Sequence, residues 1–289
     1  MKEIKYSSSI IEIIKKRESW RSYEPVPLVP DIKIKIENVL TEDLFSPFTG
    51  NVRFKLIETL EINSNEKKQL GTYGFIKGAI YYLVGVMRES KFDLEDFGFK
   101  MEQLILYATD LGLSTCWIGG TLRRNNFANQ IKAQADEVVP AISPVGYAAK
   151  NSFVGKLTKW GARSKKRLPW SKIFFEGVIN TPLMEKKARK YVSPLEMVRL
   201  APSASNRQPW RIVKEKNEDI FHFFLCQKKK KRILRRTSFP DFPRIDIGIA
   251  TSHFDLVIKE LGLKGEWKSI QTNSKVPNEL QYVITWIAK

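Results

Sequence analysis

Two long segments of the chain carry apolar residues at helical spacing and then stop in the same way. The first is DFGFKMEQLILYATDLGLSTCW, which begins at Asp96, and the second is DIGIATSHFDLVIKELGLKGEW, which begins at Asp246. In both, apolar residues recur every three or four positions up to an LGL sequence, whose glycine is typical of a helix C-terminus. Because apolar residues cover much of each segment, the pattern predicts two long, buried helices.

The two segments match each other at a spacing of 150 positions. The identical pairs are Asp96 and Asp246, Gly98 and Gly248, Leu106 and Leu256, Leu111 and Leu261, Gly112 and Gly262, Leu113 and Leu263, and Trp117 and Trp267. Apolar runs that predict strands also recur, since AIYYLVGVM begins at Ala79 and IFHFFLC begins at Ile220. PAISPVGYA and LQYVITWIA then close the two halves as extended segments. Each half therefore follows the order helix, strand, strand, long helix, strand.

This order predicts an α+β protein made of two pseudo-symmetric halves. A solenoid needs three or more short repeats, whereas two long copies favour a fused pseudo-dimer. Residues 151–191 between the copies are rich in charge, Gly and Pro. We therefore assign residues 1–169, including a basic linker arm, to the first half and residues 170–289 to the second.

A shorter helix is predicted over SPLEMVRLA. Ser193 suits its N-cap and Pro194 its first helical position. The helix should end near Ala201, because Pro202 disfavours helical backbone in the residue before it.

Composition excludes several classes of protein. The chain has 289 residues and is 43% apolar, so disorder is not expected, and no apolar run is long enough to span a membrane. The N-terminus reads as the start of a helix and lacks the apolar core of a signal peptide. The chain has two cysteines, Cys116 and Cys226, and two histidines, His222 and His253, which excludes a disulfide framework and a conventional zinc site. We expect a cytoplasmic protein without a metal site.

The net charge of +18 would attract nucleic acid, anionic membranes or phosphorylated ligands. The densest basic run is QKKKKRILRRT, Gln227 to Thr237. It has no interleaved aromatic residues and no recognised binding motif, so a solvated loop is favoured over a nucleic-acid patch. We expect a small-molecule substrate, with neither a membrane nor nucleic acid as the partner.

Four short stretches carry groups suited to a cofactor, and each also has a plain structural explanation. In KRESWRSY, Arg17, Ser19 and Arg21 suit a phosphate, although a charged helix end would also contain them. The glycines that end LGLSTCWIGG allow close backbone approach. SKKRLPW, from Ser164, is basic, as a solvated linker can be. APSASNRQPW, from Ala201, has the small polar residues of a helix-to-strand turn.

These stretches resemble motifs of the nitroreductase family, the FMN-dependent flavoenzymes. APSASNRQPW is similar to the family's A-P-S-A-x-N-x-Q-P-W, and LGLSTCWIGG is similar to its G-L-G-T-C-W-I-G-G. KRESWRSY resembles R-R-S-x-R-x-F, with Glu18 in place of a basic residue, and SKKRLPW resembles a basic pair before a proline. The resemblance covers nearly the whole chain. It points to the fused, single-chain "TM nitroreductase" subfamily, whose halves mimic the family's homodimer within one chain.

The resemblance implies FMN-binding roles in each motif. The residues so implied are Arg17, Ser19, Arg21, Ile118, Gly119, Gly120, Lys165, Arg167, Pro202, Ser203, Ser205 and Asn206. Among them, Arg21 would approach the N1/O2 edge of the flavin, and Lys77 is a further candidate for positive charge near the ring. Cys116 is interpreted as core packing. The basic motif occurs only in the first half and APSASNRQPW only in the second, so we expect one FMN site per chain, built from both halves of a monomer.

The implied activity is an FMN-dependent oxidoreductase with NADH or NADPH as hydride donor. It would reduce nitroaromatic, quinone or similar small acceptors by ping-pong hydride transfer, and the flavin would carry the chemistry, so no catalytic side chain is assigned. Two alternatives stay open. One is an FMN-binding protein of the same fold with another reaction, such as dehalogenation, or with no turnover. The other is a basic nucleic-acid binder.

Overall fold

The structure is a computed structural model that describes residues 1–59, 74–149, 166–226, 240–270 and 277–289. The chain divides into two compact units, Met1–Gly161 and Ala162–Lys289. Arg167 and Leu168, which the sequence analysis places at the end of the first half, form hydrogen bonds inside the second unit.

The first unit combines one antiparallel sheet with helices. Its helices are α1 (Ile10–Lys16), α2 (Pro30–Leu40), α3 (Asp93–Asp110) and α4 (Arg124–Ile131). Its strands are β1 (Val52–Glu58), β2 (Tyr81–Arg88), β3 (Ser114–Thr115), β4 (Glu137–Val138) and β5 (Ile142–Gly146). The strand order is β1-β2-β5-β3, and β4 also pairs with β2. The apolar run Tyr81–Met87 makes β2 a buried strand, as is β5.

The second unit has a mixed sheet. Its helices are α5 (Glu185–Ala188), α6 (Val192–Leu200) and α7 (Phe242–Glu260), with 3-10 turns at Trp170–Lys172, Arg189–Tyr191 and Ala204–Asn206. Its strands are β6 (Phe174–Glu176), β7 (Trp210–Lys214), β8 (Ile220–Cys226), β9 (Gly265–Lys268) and β10 (Leu280–Ala288). The order is β6-β7-β8-β10-β9, in which β6 and β7 are parallel and the other pairs are antiparallel. The helix and sheet content of both units confirms the predicted α+β class.

The two long helices, α3 and α7, are buried along most of their length, as their apolar patterns predict. They also end alike. Each is followed by a glycine in the left-handed region, Gly112 at φ +81° and Gly262 at φ +64°. The same N–H to carbonyl bond closes both ends at 2.9 Å, from Leu113 to Ala108 and from Leu263 to Ile258. This is the pattern expected of a Schellman cap, and it recurs at the spacing of 150 positions.

Helix α6 ends where the sequence predicts but begins earlier. Ala201 is extended, with φ −53° and ψ 142°, as the following proline requires. The predicted start was wrong, because the helix begins at Val192 and Tyr191 occupies the N-cap position without a capping side chain. The 3-10 turn Arg189–Tyr191 leads directly into the helix, so Ser193 and Pro194 already lie within its first turn.

In the part of the chain that the structure describes, no helix combines the length and the apolar character needed to cross a membrane.

Candidate functional site

The basic segment Lys16–Tyr23 leaves helix α1 and becomes part of a sheet edge. Arg17 ends the helix with an extended backbone, at φ −60° and ψ 120°. The N–H of Trp20 then donates to the carbonyl of Thr115 at 2.9 Å. On the other side, the N–H of Lys77 donates to the carbonyl of Arg21, also at 2.9 Å. The segment is therefore extended and makes isolated bridges to two distant parts of the chain. Of its residues, only Lys16 belongs to the helix end.

Gly78 allows this pairing. Its φ is +75°, and a Cβ added to it would lie 2.0 Å from the carbonyl oxygen of Tyr23. Backbone atoms at that distance cannot move aside as a flexible side chain can. A residue without a Cβ is therefore required where the chain enters the β2 region beside the basic segment.

Helix α3 supplies the counter-charge for Arg17. The Arg17 side chain is 7% exposed, and its Nε lies 3.8 Å from Oε1 of the fully buried Glu102. The other carboxylate oxygen of Glu102 accepts the indole N–H of Trp117 at 2.7 Å. One buried carboxylate thus orients the first arginine of the basic segment and the tryptophan of the WIGG sequence together.

The predicted phosphate-binding side chains gather around a buried thiol. Burial raises the pKa of Cys116, while the positive charges of Arg21 and Arg17 and hydrogen bonds from Ser19 and Arg21 act in the opposite direction. All three side chains of the basic motif therefore act on the pKa of this one thiol. Because the net shift of the pKa is upward, the thiol stays protonated and suits core packing rather than redox chemistry.

Two guanidinium groups near this thiol each have a nitrogen atom without a hydrogen-bond partner among the residues that the structure describes. Nη1 of Arg17 and Nε of Arg21 are buried, and no hydrogen-bond acceptor reaches either atom among residues 1–59, 74–149, 166–226, 240–270 and 277–289. Buried N–H groups are normally satisfied, so a pair of unsatisfied cationic donors indicates a place for an anionic ligand group. The residues present therefore fit a cofactor that carries a phosphate or a ring able to accept negative charge.

The segment Ile118–Gly120 follows this cluster directly. Ile118 is fixed by two backbone hydrogen bonds with Ile142, both 2.9 Å long. The carbonyl of Gly119 accepts a hydrogen bond from the guanidinium of Arg124, and a Cβ on Gly120 would meet no atom within 4 Å. The backbone here is anchored on one side and faces open space at Gly120.

In the second unit, APSASNRQPW forms a turn with a strained backbone. Ser205, Asn206 and Gln208 have φ values of 53°, 53° and 49°. Left-handed conformations cost non-glycine residues about 1 kcal/mol or more each, so the surrounding contacts must hold them. The amide of Gln208 is 2% exposed and supplies many of these contacts, since it accepts the N–H of Leu168 at 2.7 Å and donates to Oδ1 of Asn206 at 3.1 Å. Oγ of Ser203 accepts the N–H of Gln208 at 2.9 Å.

The turn brings together residues from two of the motifs. Nη1 of Arg167 donates to Oδ1 of Asn206 at 3.3 Å, and Nη2 donates to the carbonyl of Leu200 at 2.8 Å. Nδ2 of Asn206 donates to the carbonyl of Lys166 at 2.7 Å. Lys165, the other basic residue predicted from SKKRLPW, lies outside the described residues. Pro202 is half-buried and Ser205 is exposed.

Comparisons with known proteins agree with these motifs. A family model described as "Putative TM nitroreductase" matches residues 9–258. The chain belongs to this nitroreductase family. A comparison with curated proteins finds no match.

Among solved structures, a "putative nitroreductase" of Thermotoga maritima is similar over 99% of this chain and 97% of its own, with 22% identity and a TM-score of 0.60. This likeness confirms the predicted nitroreductase-like fold of a single chain. A nitroreductase with bound FMN from Bacteroides fragilis is similar over 51% of this chain and 92% of its own, with 17% identity and a TM-score of 0.40. An NADPH:FMN oxidoreductase from Vibrio harveyi is similar over 50% of this chain and 70% of its own, with 16% identity and a TM-score of 0.39.

Three buried polar residues of this nitroreductase chain were not among the predicted site residues. Glu102 orients Arg17, Gln208 holds the turn, and Asp246 on α7 accepts the N–H of Ala204 at 2.9 Å. Neither helical periodicity nor the four motifs assign a role to such residues. The identity of Asp96 and Asp246 was the one available signal, because an acidic residue matched between two buried helices needs a polar partner.

In the second unit, the segment that matches the WIGG sequence is hydrogen-bonded to a tyrosine side chain of the same unit. Lys268, Ser269 and Ile270 occupy the positions that match Ile118–Gly120. The hydroxyl of Tyr282 accepts the N–H of Ile270 at 3.0 Å and donates to the carbonyl of Lys268 at 3.2 Å. At Ile270, the position that matches Gly120, the backbone N–H is therefore already hydrogen-bonded to a side chain of the same unit.

Glu102→Gln should destabilise the cofactor-free protein by about 2 kcal/mol. The amide keeps an oxygen for Trp117 but removes the counter-charge of the buried Arg17. Chemical denaturation would measure the loss. Glu37→Gln, at an exposed position on α2, is the matched control and should change stability little. Equal stability of the Glu102 variant and the parent protein would contradict this assignment.

Proposed function

We propose that the chain is an FMN-dependent NAD(P)H oxidoreductase that reduces nitroaromatic, quinone or similar small acceptors by ping-pong hydride transfer. The observation that carries the proposal is a pair of partly buried arginines, Arg17 and Arg21, whose buried N–H donors are unsatisfied, in a chain of the nitroreductase family. Anionic parts of a flavin would satisfy these donors.

The first unit would provide the electrostatics of the site. Bound FMN supplies hydride transfer, which the side chains of a protein cannot perform. Arg21 has no carboxylate partner in an ion pair within the described residues, so its charge is available to stabilise negative charge on a ligand, whereas the charge of Arg17 is partly balanced by Glu102. The open space beside Gly120 would let a planar group approach the backbone.

The turn of the second unit is the other segment to which the motifs assign flavin contacts. Pro202, Ser203, Ser205 and Asn206 would contact the ring and the ribityl chain, as the motif implies. The hydrogen bonds from Gln208 and Arg167 support this role, because a turn held in its binding conformation loses less entropy when a ligand binds. Lys165 and Arg167 would add positive charge for the phosphate.

One FMN should bind per chain. The basic motif and the open backbone of Gly120 belong to the first unit, while the matching backbone of the second unit is occupied by Tyr282. Titration of the apoprotein with FMN should therefore reach equivalence at one flavin per chain. Two equivalent sites per chain would contradict both the fused-dimer interpretation and the role of Tyr282.

A direct test is the colour of the purified protein and its response to nicotinamides. A yellow protein with FMN absorbance that NADPH or NADH bleaches and menadione restores would support the proposal. A yellow protein that both nicotinamides leave unchanged would favour the alternative, an FMN-binding protein of the same fold with another reaction or no turnover. A colourless protein that takes up no added FMN would overturn the proposal.

A further inference from the structure

We propose that Asp246 is a positioning residue for the turn Pro202–Asn206, and that a proton on its carboxyl group keeps this turn in the conformation described above. The structural part of this inference stands by itself. Its consequence for ligand binding rests on the proposed function, because FMN is the ligand assigned to the turn.

The contact joins the long buried helix to the strained part of the turn. Asp246 lies on α7 and is 3% exposed. Its Oδ1 accepts the N–H of Ala204 at 2.9 Å, and Ala204 is the first residue of the 3-10 turn Ala204–Asn206. Directly after it, Ser205 and Asn206 hold φ values of 53°. The carboxyl group therefore anchors the backbone where it departs from ordinary geometry.

The second carboxyl oxygen has no protein donor. Oδ2 of Asp246 is buried, and none of the residues that the structure describes reaches it with a hydrogen bond. Burying an ionised carboxylate whose oxygen has no hydrogen-bond donor raises the free energy of the folded state. Burying the neutral carboxylic acid raises it much less. The geometry thus favours a neutral Asp246 that still accepts from Ala204 through Oδ1.

Asp96, the residue of the first unit that matches Asp246, has a lysine partner on its own helix. Asp96 is also buried, but Nζ of Lys100 lies 3.2 Å from its Oδ2, one helical turn away. At the position that matches Lys100, the second unit has Ala250. Burial raises the pKa of Asp246 to about 8, and Asp241 adds to the rise, while the Ala204 hydrogen bond and Arg207 oppose it.

Charged groups on two of the elements packed against α7 form ion pairs with other residues. On α6, the guanidinium of Arg199 bonds the carboxylate of Glu196. On β7, Lys214 lies 3.4 Å from Asp219.

Two histidines and an arginine complete these surroundings. His222 on β8 bonds Glu215, and His253 on α7 bonds the carbonyl of Met197. Arg211 on β7 donates to the carbonyl of Gln208. Arg207, which is exposed and directly follows the turn, is a cation that opposes the rise in the pKa of Asp246.

Loss of the proton should loosen the turn. An ionised Asp246 gains from contact with water, and this contact requires the turn to move away from α7. The native state holds a proton that the unfolded chain releases near pH 4. Stability and order of the turn should therefore be greatest at low pH and should decline as the pH rises from about 4 to about 8.

Hydrogen exchange and FMN titration of the full chain test this inference. In the parent protein, the protection factor of the Ala204 amide and the affinity for FMN should both fall about tenfold or more as the pH rises from about 4 to about 8. Asp246→Asn, which has the same shape and no charge, should give values that do not change over this range. Asp96→Asn is the matched control and should leave the Ala204 profile as in the parent. The same pH dependence in Asp246→Asn as in the parent would overturn the inference.

Two measurements on the parent protein test the inference if the variant does not fold or if FMN does not bind. If Asp246→Asn does not fold, carboxyl-carbon NMR of the parent protein decides, because a titration midpoint near 8 supports the inference and one below about 5 overturns it. If FMN binds at no pH, the proposed function fails, and the exchange of the Ala204 amide alone decides the inference.

Discussion

Gly78→Ala should lower the free energy of unfolding by about 4 kcal/mol and abolish FMN binding. The new Cβ would lie 2.0 Å from the carbonyl oxygen of Tyr23, so the basic segment and the chain before β2 cannot keep their present separation. The hydrogen bonds of Lys77 with Arg21 and Tyr23, both 2.9 Å, would be lost with it. Chemical denaturation and FMN titration measure the two effects.

Gly74→Ala is a matched control within the same chain. Gly74 has a φ of +77°, almost the same as that of Gly78, but a Cβ there would meet nothing within 4 Å. Its substitution should cost only the conformational penalty, about 1 kcal/mol, and should leave FMN affinity unchanged. If the two variants behaved alike, the contact between Gly78 and Tyr23 would not position the basic segment.

Arg21→Ala should weaken FMN binding by about 100-fold and slow reduction of the bound flavin by NADPH. A charge-assisted hydrogen bond contributes about 1.5–3 kcal/mol, and the guanidinium also provides the charge that stabilises the reduced ring. The backbone of residue 21 still accepts from Lys77, so the segment should keep its place. Fluorescence titration and stopped-flow reduction give the two values.

Two variants distinguish the effect of the Arg21 guanidinium group from the effect of positive charge alone. Arg21→Lys keeps the positive charge but not the fork of N–H donors, so its affinity should fall between those of the parent protein and Arg21→Ala. Lys35→Ala, at an exposed position on α2, removes the same charge and should change neither measurement. Unchanged affinity and unchanged reduction in Arg21→Ala would exclude this residue from the site.

Elements with a strong period could be predicted from the sequence. Helices α3 and α7 follow their apolar patterns and end at Gly112 and Gly262, because the pattern and the C-terminal glycine agree. Helix α6 ends at Leu200 for the equally local reason that Pro202 restrains Ala201. Its start was mispredicted, since the preceding 3-10 turn supplies the first turn that Ser193 was expected to cap.

The motifs identified the site segments but not what holds them. Nothing in KRESWRSY indicates that Glu102, far along the chain, faces Arg17, or that Lys77 pairs with Arg21 through its backbone. Likewise, Gln208 belongs to a quoted motif, yet its role as the buried amide of the turn depends on residues brought near by folding. Contacts between residues distant in sequence leave no periodic signal, so they require the structure.

The two long helices end in the same bond and in the same left-handed glycine, at positions 150 residues apart. The two helix ends can therefore be compared with each other within one protein. One substitution can be made at Gly112, at Gly262 or at both, within a single polypeptide and under one set of conditions. Because the local geometry of the two ends is shared and a Cβ at either glycine meets nothing within 4 Å, any difference between the two effects reports on the surroundings of each helix rather than on its cap.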